Sequence, residues 1–162
     1  MQIIISYIDL YGVVERSLSI IAKRSIDDHG NRLFDNITLG SREKTLAYDY
    51  FRSAIVGLAA DLRQYVTLET PSAESYTVTL TLYDDANSSL TDTVSQAVKD
   101  YIVAYTLYSW FTVTAPRICE KYLADANAQK SFIIAQVFHR QRPSTLPDPL
   151  APKVDPSDTQ NE

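Results

Sequence analysis

The side chains with the most obvious chemical potential in this 162-residue sequence are one cysteine, Cys119, and two histidines, His29 and His139. A thiolate beside an imidazole is a nucleophile. Nothing in the spacing brings either histidine to Cys119, however, and Cys119 falls on the apolar stripe of a helix, where cysteine serves as a small hydrophobe. The run Asp27-Asp28-His29-Gly30-Asn31-Arg32-Leu33-Phe34-Asp35-Asn36 invites a calcium reading. It lacks the alternating Asp/Asn spacing and distal Glu of a calcium loop, so a surface loop pinned by Leu33, Phe34 and Ile37 is expected. Asp84 and Asp85 near Asp92 read as turn and capping groups, and Tyr101, Tyr105 and Tyr108 with Trp110 as core or subunit interface rather than a base-stacking platform. No nucleophile elbow, phosphate loop, dinucleotide fingerprint or zinc signature is present. The expectation is a non-enzymatic protein with no catalytic, cofactor-binding or metal residues and no cofactor.

The elements that position these side chains are dominated by Ser89 to Arg142, which reads as two long helices folded back at Thr114-Ala115-Pro116. Ser89 and Asp92 make a capping box, so the first helix starts near Leu90. At about 100° per residue, Leu90, Val94, Ala97, Val98, Tyr101, Ile102, Tyr105 and Tyr108 share a face. In the second half the opposite face also turns apolar, through Val103, Leu107 and Trp110, so that half has no water side. Its cover comes either from helices of the same chain or from a neighbouring subunit. Pro116 suits the first turn of the next helix. That helix carries the stripe Cys119, Tyr122, Leu123, Ala126, Ile133 and Val137 and ends in His139-Arg140-Gln141-Arg142 before Pro143.

Towards the N-terminus, the β-branched run Gln2 to Ile5 predicts a strand, and a capping box at Ser6 and Asp9 starts a helix from Tyr7 to about Arg24. Leu10, Tyr11, Val14, Leu18 and Ile21 form its apolar face, and Gly12 either marks close packing or has no role. A third core helix is expected from Arg42 to about Gln64, with Ala47, Phe51, Ala54, Ile55, Leu58 and Leu62 inward. Small residues at Ala54, Gly57, Ala59 and Ala60 leave room for a close neighbour. Strict alternation from Ser75 to Tyr83 is the clearest strand, with Gln2 to Ile5 or Val66 to Glu69 as its partner and an edge free to pair between subunits. The fold class is therefore mainly α (α+β): an antiparallel bundle of about four helices with a long C-terminal hairpin and a two- or three-stranded β element. Residues 1–142 form one domain. Residues 143–162 hold five of the seven prolines and read as a disordered tail.

A net charge of −5 argues against general affinity for nucleic acid or anionic membrane, and a lone cysteine excludes an internal disulfide. No apolar run approaches the length of a membrane span, and Met1 to Ile5 lacks the basic start of a signal peptide. A protein kept or assembled inside a cell is expected. The residues that motivate an interaction surface are the second helical stripe, Val103, Leu107 and Trp110, and the threonines Thr77, Thr79 and Thr81 of the alternating strand.

Read in order, the chain runs from apolar strand and helix through the acidic loop and a long helix to the strand at Tyr76 to Asp85. It closes on the hairpin, with Trp110-Phe111 ending one helix, Pro116 opening the next and Arg140 to Pro143 ending the last. From Met1 to Pro143 this pattern resembles small structural proteins of tailed phages and prophages of gut bacteria, in the neighbourhood of head-tail connector or neck components. The resemblance implies a helical adaptor with a small sheet, assembled into a ring, whose partners are copies of itself and other virion proteins. It also implies residence in the cytoplasm of a bacterial host, or in the virion if phage-encoded. The alternative reading is a soluble bacterial helical binding or regulatory module, holding a peptide or small ligand between the hairpin and the helix at Arg42 to Gln64.

Overall fold

A computed structural model describes residues 1–24, 39, 43–69, 75–81 and 88–138. In chain order the elements are β1 (Gln2–Ser6), α1 (Tyr7–Arg24), α2 (Lys44–Leu62), a 3-10 turn (Arg63–Tyr65), β2 (Val66–Leu68), β3 (Ser75–Leu80), α3 (Ser88–Thr114) and α4 (Pro116–Val137). The described residues thus form four helices and a small antiparallel sheet, the mainly α architecture with a β element that the patterning predicts. The loop at Asp27 to Asn36, Asp84-Asp85, both histidines and the tail from Pro143 lie outside the described residues.

The strand order is β1-β3-β2, with both pairings antiparallel. The longest alternating strand therefore sits in the centre and is paired on both sides. Ile3 lies opposite Val78 and Ile5 opposite Tyr76, and all four are buried on the face that the helices cover. The opposite face carries Gln2, Ile4, Thr67, Thr77 and Thr79, with Gln2 Nε2 donating to Glu69 Oε1 at 3.3 Å. Period-two alternation accounts for this division. Beyond the regular ladder, Met1 and Leu80 exchange two backbone hydrogen bonds of 2.8 Å, and Thr81 N–H donates to the Tyr65 carbonyl at 2.9 Å.

β1 runs into α1 without a loop. The Ser6 hydroxyl accepts from the Asp9 N–H at 3.3 Å, which is one half of the expected capping box. Leu10, Val14, Leu18 and Ala22 are buried along α1, with Tyr11 and Ile21 at the margin. In α2 all six predicted core residues, Ala47, Phe51, Ala54, Ile55, Leu58 and Leu62, are buried. That helix begins and ends two residues inside the expected range. At its C-terminal end Arg63 takes φ 49°, ψ −116°, a left-handed conformation that its Cβ disfavours.

α3 is the helix around which the others pack. Val94, Ala97, Val98, Tyr101, Ile102, Ala104, Leu107, Trp110 and Phe111 are buried on it, and it contacts α1, α2 and α4. Thr106, buried among them, keeps its hydroxyl satisfied by donating to the Ile102 carbonyl at 2.8 Å. Ser109, Thr112 and Thr114 bond back in the same way to Tyr105, Tyr108 and Trp110, so the last turns carry hydroxyls that need no water. The hairpin closes at Ala115, with Pro116 in the first turn of α4 as expected. On α4, Ala126, Ile133 and Val137 are buried and Tyr122 stacks on Phe111 at 5.1 Å. Leu123 departs from the predicted stripe: it is exposed, because one residue beyond Tyr122 rotates it about 100° off the seam.

Two glycines lie in helix interiors without steric need. A Cβ at Gly12 would meet nothing within 4 Å, and one at Gly57 only the Tyr101 hydroxyl at 3.9 Å. Gly12→Ala and Gly57→Ala should each raise stability by roughly 0.5–1 kcal/mol, and Arg63→Gly, by relieving its positive φ, by about 1 kcal/mol. Urea midpoints shifting upward without a change in m would verify all three, and a fall for either alanine variant would show that the helix or its neighbour cannot take the added methyl.

Candidate interaction surface

The residues singled out for partner contact separate in the structure. Leu107 and Trp110 are buried at 5% and 8% exposure, so most of the second apolar stripe is covered within the chain and is not a subunit surface. The cover comes from the helices packed around α3, which leave only Val103, earlier along the same face, half-buried. Thr77 and Thr79 stand half-buried on the uncovered face of β3, and Thr81 is exposed just beyond its end. Because β3 is central, these threonines do not mark a free strand edge; the edges belong to β1 and β2. Which strand becomes central is decided by the pairing of β3 with β1, some seventy residues away, as well as with nearby β2, and alternation within one strand carries no information on that.

Val103 instead helps line a groove of about 190 Å³ between the β1–α1 junction and the middle of α3. Ile5, Leu10, Val13 and Val103 supply its apolar wall, while Asp9, Gln96, Lys99 and Asp100 stand along it. Gln96 Nε2 donates to Asp100 Oδ1 at 2.8 Å, an i,i+4 pair that fixes the amide across that carboxylate. Ile4, at 65% exposure, borders the groove on the sheet side. The sequence signal for it was present in principle: Ile3 and Ile5 point inward, so an isoleucine between them must point out. Val13 likewise falls off the apolar face of α1.

Tyrosines account for the main electrostatic perturbations. Tyr101, buried against α2, has its phenol pushed up to about 12 by desolvation, with Tyr105 and Asp61 adding to the effect. Tyr105 meets Tyr101 tilted and Tyr108 edge-on, each with ring centroids 6.1 Å apart; Tyr101 and Trp110 are buried, and Tyr105 and Tyr108 are half-buried. Tyr7 packs with Tyr48 and Phe51, and Lys44 lies over the Tyr11 and Tyr48 rings at 5.8 and 5.6 Å. Among the described residues the Tyr7 hydroxyl has no hydrogen-bond partner of good geometry; burial raises its pKa and the nearby Arg52 guanidinium offsets part of that rise. Cys119 donates its S–H to the Pro116 carbonyl at 3.1 Å.

Among the described residues no group of three or more His, Cys, Asp or Glu is placed to hold a metal ion, and no helix is long and apolar enough to cross a membrane. No protein family matches the sequence, and no curated protein or solved structure matches it.

The raised tyrosines give the fold a defined alkaline weakness. An unfolded tyrosine ionises near pH 10 while native Tyr101 holds its proton to about 12, so the stabilisation is fully present below pH 10 and is lost as pH rises from 10 to 12. The loss amounts to about 2–3 kcal/mol for this one residue, and Tyr7, Tyr11 and Tyr122, also raised by burial, act in the same direction. Denaturation at stepped pH should show falling stability above pH 10 and a shallower fall in Tyr101→Phe. Equal slopes for the two proteins would mean that Tyr101 ionises as it does in solvent.

Proposed function

We propose that this chain is a non-enzymatic assembly protein that works through contacts with copies of itself and with neighbouring proteins, as head-tail connector or neck components of tailed phages do. The observation that carries the reading is the apolar side of the β1–α1 unit. Ile4 and Ile20 are 65% and 55% exposed, and Val13 lies between them beside Val103. Isolated surface hydrophobics are ordinary, but a series along one strand and the helix that continues it is the pattern of a surface awaiting cover. The phage context rests on the order of elements and on the Trp110-Phe111, Pro116 and Arg140 to Pro143 landmarks, and the partners it implies are virion proteins.

The second reading, a binding or regulatory module for a peptide or small ligand, was expected in a cleft between the hairpin and α2; the groove described above lies elsewhere, between β1–α1 and α3. This groove, at roughly 190 Å³, is below the ~300–1,000 Å³ of ordinary small-molecule sites.

Light scattering on the purified chain over a concentration series decides between the two readings. The assembly reading expects a mass above one chain that grows with concentration. A mass fixed at one chain throughout the series would overturn self-assembly and leave the groove as the object of ligand screening.

A further inference from the structure

We infer that the outer edge of β1 is a pairing site for a second copy of this chain, joining two three-stranded sheets into one six-stranded sheet across a two-fold axis at Ile4. The inference deepens the assembly reading and rests on it.

The geometry follows from the β1–β3 ladder. Met1 and Leu80 exchange both of their backbone hydrogen bonds. Antiparallel pairs alternate between bonded and non-bonded, so in the observed register Ile3–Val78 and Ile5–Tyr76 are the next bonded pairs. Gln2, Ile4 and Ser6 therefore aim their N–H groups away from β3, and among the described residues no strand pairs with that side. The Ser6 carbonyl belongs to the first turn of α1, but the Ser6 N–H and both groups of Gln2 and Ile4 are directed outward.

An exposed strand edge is normally guarded by lysine, proline, a bulge or a covering loop. β1 reads Gln-Ile-Ile-Ile-Ser, with no charge and no proline, and its central outward side chain is an isoleucine at 65% exposure. The five residues are also self-complementary. In an antiparallel pair centred on Ile4, the Ile4 N–H and carbonyl of each copy bond those of the other, and each Ser6 N–H donates to the opposing Gln2 carbonyl. The two Ile4 side chains then meet on the uncovered face of the joined sheet, where each removes the other from water.

Beneath the sheet the same axis brings the two grooves together. Each holds Val13 and Val103 with one ammonium, Lys99, and two carboxylates, Asp9 and Asp100, so opposite charges are available across the junction. β2 is a poorer candidate: it spans three residues, and Val66 and Leu68 are already half-buried. The joined arrangement is isologous and closed, since each copy uses the same edge once.

Ile4→Pro removes an N–H that bonds nothing among the described residues, a substitution an edge strand tolerates. Ile4→Lys places a charge at the axis. Sedimentation velocity over a concentration series, far-UV circular dichroism and backbone amide exchange should be recorded for the full chain and both variants. The expected result is a dimer with concentration-dependent protection of the Ile4 and Ser6 amides, and a dissociation constant raised about tenfold or more in each variant with unchanged helicity. If Ile4→Pro fails to fold, Ile4→Lys decides. An oligomer of equal strength in the variants would overturn the edge pairing and leave the assembly reading standing. A strictly monomeric wild-type chain would overturn both. Protection of those amides in a monomer by an added peptide of residues 143–162 would assign the edge to that segment and overturn pairing between copies.

Discussion

A helix that is apolar around most of its circumference can exist in water only if other structure covers it, and α3 imposes that constraint on the whole chain. From Ala97 to Phe111 its buried positions point in nearly every direction. Helices α1 and α2 and the returning α4 supply the cover, and the sheet closes the core through Ile3, Ile5, Val78 and Leu80. Tyr101 shows the fit locally: its ring lies against α2 where Gly57 carries no side chain, and the Lys130–Asp61 ion pair at 2.5 Å ties α4 to α2 nearby. That pair is partly exposed, so it contributes about 0–1 kcal/mol. Burial accounts for most of the cohesion.

The helices were legible in the sequence because their signals are local. Ser6 caps α1, Pro116 opens α4, and the apolar periodicity of α2 identified its inward residues correctly. The strand β3 was equally plain. What the sequence left undecided was long-range. An apolar stripe at Leu107 and Trp110 reads the same whether the same chain or another covers it, and the structure covers it from within. An alternating strand likewise reads the same at the edge or in the centre. Placing β3 in the middle left β1 and β2 as the edges of the described sheet, and β1 had drawn attention only as a pairing partner.

Leu107 and Trp110, marked for partner contact, are buried for a physical reason rather than for lack of signal. Large apolar runs attract notice, yet a folded chain buries most of them first. The apolar surface left at the groove is composed of smaller departures from pattern: one isoleucine on the wrong side of a strand, a valine at the border of α1, and Val103 just outside the α3 core. Each is unremarkable alone. Their adjacency is a property of the tertiary structure, since β1, α1 and α3 meet at the groove from positions nearly a hundred residues apart.

The pairing of β1 with β3 also has a consequence in time. The register joins Gln2 to Thr79 and Ser6 to Ser75, so β1, once made, waits for some seventy further residues before its ladder can form. At about 5–20 residues per second that is roughly 4–14 s, during which Ile3, Ile4 and Ile5 have no native partner. The hairpin of α3 and α4, by contrast, closes over neighbouring residues, so its contacts form almost as soon as they exist. Slowing elongation between β1 and β3 lengthens the period in which the isoleucine run is open to misassociation, whereas the same delay within the hairpin changes little.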